Sequence, residues 1–150
     1  MRTKLTLLVA MLTMALAGAD STALGDKELA KRLLGTWVTD PLVVSGSGGW
    51  ESTRTYKADG TGTEVVQPGQ QPRSAAIRVT FVWSITNSVL FVKGTVLTDP
   101  QKILEKTQVP VDHRAHIRFS ERYADYLLLE PVDAGGKIMG KGTVFRKNNA

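Results

Sequence analysis

The chain has 150 residues, a formal net charge of +5 and no cysteine. Without cysteine it can form no disulfide, no thiolate metal site and no cysteine nucleophile. Its length fits one domain with one core, and its scattered basic residues argue against a nucleic-acid surface, which would show a cluster.

The N-terminal residues have the pattern of a secretory signal peptide. Basic residues precede an apolar run over 5–17, and small residues follow it up to Ala19. The run is shorter than the roughly 20 apolar residues that a membrane-spanning helix needs. We therefore expect residues 1–19 to be removed on export. Residues 20–150 would then form a periplasmic or secreted domain of net charge +3, with no transmembrane segment.

A short helix is predicted next, over residues 26–34. Asp26 suits its N-cap, and Lys31 and Arg32 lie near its C-terminal end, where the helix dipole favours positive charge. Gly35 ends it. A helix of this length is not stable alone, so it is expected to pack against the rest of the domain.

After Gly35 the pattern repeats every two residues, which predicts strands. Asp59-Gly60 and Asn87-Ser88 are turn signals between them. The predicted strands span 36–39, 50–57, 61–66, 75–85, 89–97, 115–121, 126–130 and 137–147, and residues 102–109 fit either a helix or a strand. About eight strands joined in sequence predict an all-β fold, a single up-and-down antiparallel barrel.

Several short motifs occur in one order along this pattern. They are Leu34-Gly35-Thr36-Trp37, Tyr56-Lys57-Ala58-Asp59-Gly60-Thr61, Trp83-Ser84-Ile85, Leu90 and a late Arg146. Together they resemble the bacterial lipocalin-like domains of the calycin superfamily, over most of residues 29–146. The resemblance implies that Gly35 and Trp37 close one end of the barrel, with the Arg146 guanidinium stacked on the indole.

The predicted ligand-binding region is the barrel interior at the end away from Trp37. Its residues are Trp50, Arg54, Tyr56, Phe81 and Trp83. An inward Arg54 needs a negative partner, since a buried lone charge is costly. That partner is either an anionic ligand, such as a fatty acid, or an internal acid such as Glu64. The alternative is that the barrel is filled by its own side chains.

We predict no metal site, no cofactor and no enzymatic activity. His113 and His116 are the two histidines, and a spacing of three puts them on opposite faces of a strand. Arg114 between them disfavours a cation. The sequence also has no Gly-x-Ser-x-Gly elbow of the kind that hydrolases use.

The expected function is that of an exported lipocalin-like binding protein, with a small apolar or amphipathic anionic ligand in the barrel. One alternative is a protein-interaction module such as a secreted protease inhibitor, for which residues 20–25 offer a short segment of mostly small residues. The other is a structural envelope protein without a small ligand.

Overall fold

The two-residue repeat after Gly35 produces a closed antiparallel barrel in the computed structural model of the chain. The structure describes residues 24–40, 50–68, 76–97, 109–120, 122–123 and 125–149. Its elements are α1 (Asp26–Leu33), β1 (Gly35–Thr39), β2 (Trp50–Tyr56), β3 (Thr61–Pro68), β4 (Ile77–Thr86), β5 (Val89–Leu97), β6 (Val109–Phe119), β7 (Tyr126–Pro131) and β8 (Thr143–Lys147). Each strand pairs with the next and β8 pairs with β1, so the predicted all-β, up-and-down barrel with a leading helix is confirmed.

Two strand boundaries differ from the prediction by more than two residues. Strand β6 begins six residues before the predicted start at 115, because Val109 already pairs with Val96 of β5. Strand β8 is shorter than predicted, because the chain before it folds back and Ile138 forms a bridge with Val132. The ambiguous residues 102–108 lie outside the described part of the chain.

Asp26 has a different role from the predicted N-cap. The helix begins at Asp26, and Gly25 precedes it without a side-chain cap. The two Asp26 carboxylate oxygens instead accept hydrogen bonds from the backbone N–H groups of Asn87 and Ser88, each at 2.9 Å. Both turn residues have positive φ, 52° and 60°, as a two-residue hairpin turn requires. The helix is thereby tied to the β4–β5 turn.

The barrel has two unlike ends, which we call the helix end and the far end. The helix end carries α1, the start of β1 and the close of β2. Burial decreases from this end along the inward-facing positions. On β4, Phe81 and Val79 are buried, whereas Ile77, of the same alternation, is 36% exposed. On β8, Phe145 is buried and Thr143 is exposed. On these two strands, the inward-facing positions are therefore less buried toward the far end.

Aromatic side chains fill the helix end. Tyr56 lies between Phe81 and Trp83, with ring centroids 5.5 and 5.7 Å away. Phe81 fits because its neighbours across the sheet on both sides are Gly62 and Gly94. A Cβ atom on Gly62 would lie 2.2 Å from the Phe81 ring. This packed group forms the floor of the barrel.

Among the described residues, no helix is long and apolar enough to span a membrane. Residues 1–19, for which the sequence predicts a signal peptide, lie outside the described part of the structure. Export therefore stays a prediction.

Candidate functional site

Trp37 joins the helix to the barrel floor. Its indole Nε1 donates a hydrogen bond to the carbonyl oxygen of Leu33 at 2.7 Å, which satisfies an unpaired carbonyl at the end of α1. Gly35 makes the intervening turn with a φ of 111°, a conformation that side chains disfavour. The cation over the indole is Lys147, with Nζ 5.3 Å from the ring centroid.

The structure therefore corrects the position of the cation at Trp37. Strand alternation turns the buried Phe145 inward, Arg146 outward into solvent and Lys147 inward. Arg146 thus does not stack on the indole. The cation that lies over the ring is Lys147, one residue after the predicted one. The arrangement of Gly35, Trp37 and Lys147 is a packing feature of the helix end.

A polar cluster lies inside the barrel between β2 and β3. Arg54 and Glu64 are direct partners across the two strands. Arg54 Nε lies 2.8 Å from Glu64 Oε1, and the two side chains are only 20% and 10% exposed. The Ser52 hydroxyl donates to the same carboxylate oxygen. The internal acid, one of the two partners that the sequence left open, is thus present.

The surroundings of Arg54 favour its charged form. Its guanidinium carbon lies 5.2 Å from the centroid of the Phe145 ring. Burial by itself would lower the pKa of Arg54, but the neighbouring Tyr56 and Glu64 outweigh it and hold that pKa above its ordinary value. The pair is therefore charged and internally neutralised in the barrel.

The Tyr56 hydroxyl is the exception in this cluster. Tyr56 is 2% exposed, and its buried oxygen forms no well-directed hydrogen bond with any described residue. Burial raises the pKa of Tyr56; the Arg54 charge works against that shift and the Glu64 charge adds to it. The Arg54 guanidinium is close enough to donate a hydrogen bond toward the Tyr56 oxygen, and this contact also opposes the pKa shift, but a guanidinium cannot accept. A buried hydroxyl proton without an acceptor costs about 1–3 kcal/mol. The phenol therefore presents a neutral donor that lacks an acceptor among the described residues.

The aromatic residues predicted to line the ligand site lie nearer the helix end of the barrel than expected. Tyr56 is the register partner of Gly35, and the Trp83 indole donates to the Thr61 carbonyl oxygen at 3.1 Å. Both aromatic rings therefore belong to the helix end, together with Phe81. The expectation that they lie opposite the Trp37 end was wrong, because antiparallel β2 ends where β1 begins. The Trp50 side chain lies outside the described part of the structure.

Two members of the cluster were missed by the sequence analysis. Ser52 shares the alternation of Arg54 on β2, which is a usable signal for its inward position. Pairing of β8 with β1 places Phe145 on the same inward face as the buried Trp37. That pairing closes the barrel, and no local feature of the sequence predicts it.

The histidines lie on different sides of β6. His113 has the alternation of the inward Ile117, but it is exposed near the far end. His116 points to the outer surface, where Glu130 is its partner across the strands. Among the described residues, no group of three or more histidine or acidic side chains is placed to hold a metal ion.

No protein-family model matches the chain, and no curated protein matches its sequence. The eight-stranded barrel with a short leading helix is compatible with a lipocalin-like fold.

Proposed function

We propose that this chain is an exported lipocalin-like protein that binds a small apolar or amphipathic ligand inside its barrel and catalyses no reaction. The observation that carries the proposal is the buried Tyr56 hydroxyl, which has no acceptor among the described residues although it adjoins the Arg54–Glu64 pair. A buried hydroxyl whose proton lacks an acceptor, next to an ion pair in a barrel interior, is a group that a ligand can satisfy.

The ligand is proposed to lie between the Arg54–Glu64 pair and the far end. Below this level the aromatic floor occupies the barrel. Above it Val66 and its partner Ile77 face inward with apolar side chains, and Ile77 is partly exposed. An apolar body would cover Ile77 and the neighbouring wall at about 25 cal/mol for each Å² removed from water.

The charge balance of the site limits which polar head group this ligand can carry. Glu64 already neutralises Arg54, so no negative charge is needed from the ligand. Tyr56 needs an acceptor, which a hydroxyl, carbonyl or carboxylate oxygen provides. We therefore propose an amphipathic ligand whose polar head carries an acceptor oxygen, with an anionic head as one form of it.

Titration with a C16 fatty acid and the C16 fatty alcohol tests this proposal. Trp83 lies edge-on to Tyr56, so its fluorescence should change on binding. Tyr56→Phe removes one hydrogen bond and should weaken binding about three- to tenfold. The control is Tyr123→Phe, because Tyr123 is exposed and lies outside the barrel interior.

The proposal is rejected if neither probe gives a saturable change, or if the Tyr56→Phe and Tyr123→Phe chains bind equally. Equal affinity for the fatty acid and the fatty alcohol would show that the site recognises a neutral acceptor oxygen in the head group. Much tighter binding of the acid would show that the Arg54 cation, rather than Tyr56 alone, recognises the head.

A further inference from the structure

The connection between β7 and β8 presents an unusual surface at the far end. Residues 134–141 are all exposed, eight in succession. Ile138 is 44% and Met139 69% exposed. Lys137 and Lys141 flank them, and the segment contains no acidic residue. We call residues 134–141 the basic-apolar loop.

Backbone hydrogen bonds give this loop a defined shape. The Asp133 carboxylate accepts bonds from the N–H groups of Gly135 and Lys137, both at 2.9 Å. The Asp133 N–H donates to Lys137 O, and the Met139 N–H donates to Pro131 O at 2.8 Å. The acid that precedes the loop is thus engaged in its turn, and the backbone of the loop is tied to the end of β7.

The two lysines of the loop form no ion pair within the described part of the chain. The ion pairs among the described residues join Arg32 to Glu28, Arg54 to Glu64 and Arg118 to Glu130. Neither Lys137 nor Lys141 takes part. Exposed apolar side chains between lysines match an anionic lipid surface, where the apolar groups enter the interface and the lysines contact head groups.

We propose that the basic-apolar loop docks the far end of the barrel onto an anionic lipid surface. Charge complementarity favours this occupant over a neutral bilayer. The inference goes beyond the proposed ligand binding and does not depend on it, since the loop lies outside the barrel interior.

Site-specific fluorescence tests the docking. The chain has no cysteine, so Met139→Cys introduces a unique attachment site for a polarity-sensitive dye. The backbone N–H of residue 139 keeps its bond to Pro131. Ala58→Cys is the matched control, because Ala58 is exposed in the β2–β3 turn at the helix end. Full-length labelled chains are mixed with vesicles of phosphatidylcholine alone or with 30% phosphatidylglycerol.

The dye at position 139 should brighten and shift to the blue with the phosphatidylglycerol vesicles only, while the dye at 58 should not respond. Each lysine near an anionic surface contributes about fivefold in partition, so Lys137→Gln with Lys141→Gln should lower the partition coefficient about 25-fold. An unchanged thermal melt of that variant shows that its fold is intact.

No response at 139, an equal response at 58, or an equal response to both vesicle types would overturn the proposal. So would a partition coefficient of the double glutamine variant within about threefold of the parent. A saturable response at 139 to an acidic protein, without one to vesicles, would assign the loop to a protein partner and also overturn it.

Discussion

Replacing Glu64 by leucine is expected to destabilise the barrel strongly. Glu64→Leu leaves Arg54, whose side chain is 20% exposed, without its acidic partner. It also removes the acceptor of the Ser52 hydroxyl. Leucine is at least as bulky as glutamate, so the main effect is the unpaired charge rather than a cavity.

The magnitude follows from the burial of the pair. Removing one partner of a buried ion pair costs about 3–5 kcal/mol, because the other charge stays desolvated. Arg54 keeps some solvent contact and its place over the Phe145 ring, which puts Glu64→Leu at the lower end, about 3 kcal/mol. For a domain of this size that corresponds to a fall in Tm of about 10–15 °C.

A double-mutant cycle separates the pair from its surroundings. Arg54→Met combined with Glu64→Leu removes both charges and fills the space with apolar groups, so most of the lost stability should return. Stability is measured by urea denaturation and thermal melts at neutral pH, followed by circular dichroism. A cost of Glu64→Leu below about 1 kcal/mol, or a double variant as unstable as Glu64→Leu, would refute the reasoning.

Three further substitutions test other parts of the fold. Gly62→Ala should cost about 1–3 kcal/mol in urea denaturation, since the added Cβ would lie 2.2 Å from the Phe81 ring. Because the pKa of Tyr56 is raised in the folded chain, Tyr56 stays protonated there at a pH where it ionises in the unfolded chain. The free energy of unfolding should therefore fall as the pH rises above about 10, and Tyr56→Phe should reduce that fall. Asp26→Ala should cost about 1–2 kcal/mol and speed amide exchange at Asn87, whose N–H loses its acceptor.

Matched substitutions provide the controls. Gly140→Ala should change stability by less than about 0.5 kcal/mol, because a Cβ there meets nothing within 4 Å. Tyr123→Phe should keep the parent's loss of stability at high pH. Glu28→Ala removes an exposed ion pair within the helix, so it should lower the free energy of unfolding by much less than Asp26→Ala does. If a test variant matches its control, its contact does not have the role assigned here.

The fold could be predicted because its signals are local, whereas parts of the site depend on register. Alternation and turn residues mark each strand independently of the others. The pairing of Arg54 with Glu64 was also within reach, since both lie five residues from Asp59 in the hairpin turn. To predict which cation lies at Trp37, one must know which residues of the last strand face inward, because a shift of one residue exchanges the inward and outward faces.

The position of Tyr56 could have been deduced from topology alone. In an up-and-down barrel, β2 ends beside the start of β1, so a residue at the end of β2 must lie at the Trp37 end. The contact of Asp26 with Asn87 is different. It joins residues 61 apart and depends on how the helix packs, for which the sequence has no local signal.

A polar layer in a barrel interior needs an explanation beyond stability. An ion pair of this burial is often no more stable than apolar residues of similar volume. The Tyr56 hydroxyl, whose proton has no acceptor among the described residues, adds a further cost. If the layer serves only the fold, Tyr56→Phe should leave the stability of the chain unchanged or lower it. If it serves a ligand, Tyr56→Phe should raise stability by about 1 kcal/mol in the absence of ligand and lower the affinity for the C16 probes. Urea denaturation of the same two chains with and without the fatty alcohol measures both effects, and only opposite signs agree with a binding site.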